Sequence, residues 1–150
     1  MQKLIDAGVN VALGTDGAAS NNDLDLFGEL RIAALLAKAV SGDASSLPAH
    51  AALEMATINS ARALGLDDKI GSLRAGKCAD LIAIDLSEIE NQPLHNPVSQ
   101  LVYSNSGSRV SHAWVNGKLL LDNRQTTTLN LHELSERAQR WQQQIGQREE

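Results

Sequence analysis

The chain has 150 residues, and 43% of them are hydrophobic against 21% charged, the usage of a globular protein and not of a disordered or fibrous one. Its 18 acidic and 13 basic residues give a net charge of −5, with Lys and Arg scattered, which argues against a nucleic-acid partner. One cysteine excludes an internal disulfide, and the longest apolar runs fall far short of a membrane span, so the cytoplasm is the expected compartment. Only 3% of residues are aromatic, which leaves Ala, Leu, Ile and Val to build the core, a mixture that suits helices on parallel strands.

In chain order, "MQKLIDAG" reads as the end of a helix, with Leu4 and Ile5 on one face and Gly8 as its stop. "VNVALG", residues 9–14, reads as a strand, and the pair forms the αβ half of a repeating βα unit. The strand ends in Gly14-Thr15-Asp16-Gly17 and a loop of small and amide residues. A helix follows over 26–40: Leu26, Leu30, Ala33, Ala34 and Ala37 share a stripe, Glu29, Arg31 and Lys38 lie off it, and Asn22, Asp23 or Asp25 can cap it. "SGDASSLP" is a loop, "PAHAALEMAT" a helix with Pro48 at its start, and "INSARALGL" a second short helix stopped by Gly65.

The pattern changes near residue 66. "KIGSLRAGKCADLIAIDLS" supplies a glycine-punctuated turn and an apolar strand, residues 79–85. In "VSQLVYSNSGSRVSHAWVNGKLLLDN", residues 98–123, Asn116-Gly117 between β-like runs is a strong hairpin signal. Finally Leu131, Leu134, Ala138, Trp141 and Ile145 make one stripe of an amphipathic helix with a polar tail. The expected units are 1–65, 66–126 and 127–150.

For chemistry, Asp16 stands out. In α/β folds the carboxyl ends of strands form the functional face, and a carboxylate there can ligate a metal or take a proton. Equally, Asp-Gly is a common turn and the side chain can simply be solvated. Ser20 and Asn21 are candidate substrate contacts, although loop and capping residues of this kind more often serve the backbone. His50, His95, His112 and His132 form no HxH or HExxH pair and read as surface or packing residues. Cys78 has no triad context, and no phosphate loop or nucleophile elbow is present.

"VNVALGTDGAASNNDLDLFGELRIAALLAK" resembles the end of the catalytic barrel in metal-dependent amidohydrolases of the cytosine-deaminase and triazine-hydrolase branch, nearest to those that deaminate 5′-methylthioadenosine and S-adenosylhomocysteine. "ATINSARALGLDDKIGSLRAGKCADLIAIDL" is similar to the segment where that branch leaves the barrel for a small β-sandwich, and "HAWVNGKLLLDN" to the closing hairpin. The resemblance implies an α/β fold: the C-terminal portion of a (β/α)₈ barrel, part of a β-sandwich, and a terminal helix. It implies a zinc-dependent deaminase of a purine nucleoside, or else a guanine, cytosine or triazine hydrolase. Within it Asp16 matches the aspartate that binds the metal and exchanges a proton with its water. The family's HxH pair, later histidine ligands and catalytic glutamate have no counterpart in this sequence. The chain is therefore expected to be an inactive portion of a longer enzyme that does not retain zinc and exposes apolar surface. A non-catalytic scaffold or subunit-contact role, and a homo-oligomer, stay open.

Overall fold

The structure, a computed structural model, describes residues 1–104 and 107–146. The end of the expected polar tail, residues 147–150, lies outside the described residues. Helix α1 spans Gln2–Asp6 and leads through Gly8, at φ 74°, into an extended segment. That segment, expected as a strand over 9–14, carries no ladder among the described residues. An extended backbone becomes a strand only beside a lateral partner. Here Leu13 N instead donates to Met55 O at 3.1 Å, and Ser60 Oγ donates to Leu13 O at 3.2 Å.

Helix α2, Leu26–Ser41, starts at Asp25, whose carboxylate accepts from Phe27 N at 2.9 Å. Of three candidate caps, the one whose side chain reaches back onto the first turn takes the role. Its stripe buries Leu30, Ala33, Ala34 and Ala37 against α3, Ala49–Ala56, and α5, Pro97–Tyr103. Leu47, Ala52, Met55 and Val102 complete this core, with Val11 and Leu13 of the extended segment packed on it. Lys38 spans the helix end and the next loop: Nζ donates to Ser46 O at 2.6 Å and Leu47 O at 3.0 Å, and lies 5.6 Å from the centre of the Tyr103 ring. The opposite face of α2 is bare, with Ile32, Leu35, Leu36 and Val40 between 51% and 80% exposed. The apolar surface expected from the sequence is present there.

Helix α4, Ile58–Ala63, ends at Gly65, φ 67°. The following loop folds back over α4 at Gly71, where the backbone passes so near Ala61 and Ile58 that a side chain has no room. Lys77 Nζ closes this loop by donating to the carbonyls of Asp67 and Ile70. Strand β1, Leu81–Ile84, then opens a four-stranded antiparallel sheet in the order β1-β2-β3-β4, with β2 at Val110–Val115, β3 at Lys118–Asp122 and β4 at Gln125–Thr126. The β2–β3 hairpin turns at Asn116 and Gly117, both at positive φ, as a two-residue turn of this sequence requires. Asp80 Oδ1 accepts from Asn116 N, and Gly117 N donates to Ala79 O at 3.1 Å, so the GKCADL and VNGK stretches bond to each other.

Helix α5 falls in the stretch read from sequence as β-like. Asn96 caps it by accepting from Ser99 N at 3.0 Å, Pro97 begins it, and Val102 joins the core of α2 and α3. Its local start signals are strong, but β-branched Val98 and Val102 mask them. The terminal helix α6, Leu131–Gly146, forms as expected, and none of its residues is buried. No helix among the described residues is long and apolar enough to cross a membrane.

Candidate active site

The extended segment delivers Thr15 and Asp16 to the edge of the helical core. Three anchors fix where it emerges: the Leu13 N bond to Met55 O, the Ser60 hydroxyl on Leu13 O, and Asn10 Nδ2 donating to Asn59 O at 2.9 Å. All three lie at the joint between α3 and α4. Asp16 adopts φ 60°, the left-handed region that Asp tolerates better than most non-glycine residues. Its side chain is exposed, and Oδ1 accepts from Gly17 N at 2.7 Å. Oδ2 makes no hydrogen bond among the described residues, so one carboxylate oxygen is engaged and one is available.

Behind it the loop closes on Gly17 O, which accepts from both Ser20 N and Asn21 N at 2.9 Å. Ser20 is exposed. Asn21 is half-buried and fully used: Nδ2 donates to Thr15 O at 2.9 Å and to Glu29 Oε1 at 2.8 Å, while Oδ1 accepts from Asp23 N at 3.1 Å. Asp25 holds two places at once, capping α2 and accepting from Gly107 N at 3.3 Å. Glu29 and Ser60 were not legible as parts of this region. Their partners lie 8 and 47 residues away, and no local pattern signals such a bond.

The amidohydrolase family model matches residues 1–120. The chain belongs to the amidohydrolase family. This amidohydrolase chain is 56% identical over 143 residues to a 5-methylthioadenosine/S-adenosylhomocysteine deaminase of Teredinibacter turnerae, covering 95% of this chain and 32% of that protein. Its fold matches an adenosine deaminase from Xanthomonas campestris with bound zinc at a TM-score of 0.92 and 48% identity, over 96% of this chain and 33% of that one. It also matches atrazine chlorohydrolase from Arthrobacter aurescens TC1 complexed with zinc, at a TM-score of 0.82 and 33% identity, over 91% of this chain and 30% of the other. The chain thus spans about a third of the length of the relatives it matches. The expected fold class holds: an α/β barrel portion, here mainly helices, followed by a small antiparallel sheet.

In this amidohydrolase chain, the donor chemistry of Asp16 fits a divalent zinc as one ligand and no more: an exposed carboxylate oxygen that accepts no hydrogen bond among the described residues. Among the described residues no group of three or more His, Cys, Asp or Glu is placed to hold a metal ion. The histidines sit in other company. His50 lies 3.7 Å from Glu54, His132 lies 3.6 Å from Glu136, and His112 stacks on Trp114 with Nε2 3.2 Å from Asp122. His95 is exposed in the loop before α5. Cys78 is free and exposed just before β1.

Proposed function

We propose that this chain is the Asp16-bearing portion of a zinc-dependent aminohydrolase that removes the amino group of 5′-methylthioadenosine, S-adenosylhomocysteine or a related adenosine by hydrolysis. The observation that carries the reading is the 56% identity to the Teredinibacter turnerae deaminase across 95% of the chain, which includes the Asp16 loop. A bound zinc would supply activation of water, whose pKa a catalytic metal lowers steeply toward neutrality. Asp16 does the rest of what this chain can contribute. Its carboxylate would be one ligand to the ion and would accept a proton from the attacking water and return it toward the departing amine, with Oδ2, unbonded among the described residues, accessible for this. Oδ1, kept by Gly17 N, stops the carboxylate from turning away.

One ligand does not make a catalytic zinc site, which uses about three. Turnover therefore belongs to the longer protein, and the chain alone is expected to be inactive. Ser20 is the remaining candidate for substrate contact, being exposed beside Asp16 in the loop. The division into a barrel portion at 1–65, a sheet unit at 66–126 and a terminal helix from 127 is retained as an organisation of the sequence, although α5 packs with the barrel portion. A single exposed, free Cys78 suits a cytoplasmic enzyme. The 33% identity to atrazine chlorohydrolase favours a second reading, a related amidohydrolase acting on another nitrogen heterocycle.

The test is a chimera in which this chain replaces the matching third of the Teredinibacter turnerae deaminase, assayed for ammonia release and for zinc per chain. Asp16→Asn is expected to lower turnover by about 10²–10⁴-fold, the usual worth of a positioned acid-base group. A variant within a few-fold of the parent would remove Asp16 from the chemistry.

A further inference from the structure

We propose that Glu29 and Asn21 are positioning residues for Asp16, acting through the peptide bond that precedes it. The proposal rests on the role given to Asp16 above. Asn21 has two amide hydrogens and spends one on Thr15 O and the other on Glu29 Oε1, at 2.9 and 2.8 Å. Thr15 O and Asp16 N are the two ends of one planar peptide unit. Holding the carbonyl fixes the plane, and the plane sets φ of Asp16.

That φ is 60°, a left-handed conformation that Asp tolerates but does not prefer, so an unconstrained loop would divide its population between it and others. The neighbouring residues offer no packing to prevent this, since Gly17, Ala18, Ala19 and Ser20 are all exposed. The two backbone bonds onto Gly17 O close the loop on itself without orienting it toward the body of the protein. Orientation comes from Glu29. It stands in the first turns of α2 beside Leu30, which is 2% exposed in the core, so its carboxylate inherits the position of the helix. Constraint runs from the core through α2 to Glu29, from Glu29 to the Asn21 amide, and from that amide to the peptide plane before Asp16. Neither residue touches the reacting atoms.

The decisive comparison is Glu29→Ala against Glu29→Gln, because a Gln Oε1 can accept the same Asn21 hydrogen while the charge is gone. In the 150-residue chain, amide hydrogen exchange read by NMR at Ser20 and Asn21 is expected to quicken about tenfold in Glu29→Ala and in Asn21→Ala, and to stay within about twofold in Glu29→Gln. Asn21→Asp, nearly the same shape with a donor turned into an acceptor, is expected to match Asn21→Ala and covers the case in which the alanine variant does not fold. In the chimera, kcat is expected to fall about 10- to 100-fold in Glu29→Ala with KM little changed, and to recover in Glu29→Gln, since misplacing a reacting group lowers kcat. Equal losses in Glu29→Ala and Glu29→Gln, or unchanged exchange in Glu29→Ala, would overturn the proposal. If Asp16→Asn abolishes turnover and Glu29→Ala leaves kcat unchanged, positioning fails by itself. If Asp16→Asn is active, the role of Asp16 fails while the exchange data still decide what holds the loop.

Discussion

Replacing Gly71 by Ala puts two separable burdens on the loop that folds over α4. Gly71 sits at φ 82°, where any residue with a Cβ is strained by about 1–2 kcal/mol. The added Cβ would also stand 2.7 Å from Ala61 Cβ, 3.0 Å from Ile58 Cα and 3.2 Å from Thr57 O. Ala61 is 2% exposed and the other two atoms are backbone, so nothing there is the free end of a flexible side chain. Overpacking of this kind adds about 1–3 kcal/mol, for a total of about 2–5 kcal/mol. Gly76→Ala is the control: its φ is 91° and nothing lies within 4 Å of the new Cβ, so it carries the backbone strain alone. Urea unfolding followed by far-UV circular dichroism separates the two. With a slope of about 2 kcal/mol per molar, Gly71→Ala should lose about 1–2.5 M in midpoint and Gly76→Ala about 0.5–1 M. Equal shifts would show that the loop moves off α4 without cost and that the close approach at Gly71 is not a constraint.

Three further outcomes are expected. Asp80→Ala should cost about 1 kcal/mol by leaving Asn116 N without its acceptor, whereas Asp80→Asn should recover most of it; chemical denaturation monitored at Trp114 reads the difference. The chain should bind an apolar fluorescent dye, and Leu36→Lys with Val40→Lys on the bare face of α2 should reduce that binding with little change in the unfolding midpoint. Ser45 donates its hydroxyl and its amide to Asp43 and thereby lowers that carboxyl below its ordinary value of 3.8. A lowered folded-state value stabilises above the unfolded value and is lost as pH falls through the folded one, so the contribution fades below about pH 4. Ser45→Ala should bring the Asp43 titration, followed by NMR, back toward 3.8.

What could be read in the sequence follows from how local each signal is. The stripe of α2 was legible because Leu30, Ala33, Ala34 and Ala37 repeat at helical spacing, and the Asn116-Gly117 turn because its dihedrals are encoded in two residues. The extended run at 9–14 was legible too, but Val9, Val11 and Leu13 specify an extended backbone and cannot specify a neighbour, and the run has no ladder among the described residues. Helix α5 was hidden because Val102 earns its helical place by burial against α2 and α3, a tertiary effect. At the candidate site the position of Asp16 at the end of the extended run was legible. The Asn21 bonds to Thr15 and Glu29 were not, because an asparagine in a loop has the same appearance whether it bonds forward, backward or to water.

The bond from Asp80 to Asn116 has a consequence for how such chains are recognised. It joins two stretches 36 residues apart into one mechanical part, so a substitution in either is felt first as a loosened sheet. Stretches that do carpentry of this kind say that a framework can be assembled, and are silent about whether a working centre stands on it. Evidence of chemistry has to be sought at the other end of the molecule, in the few residues around Asp16.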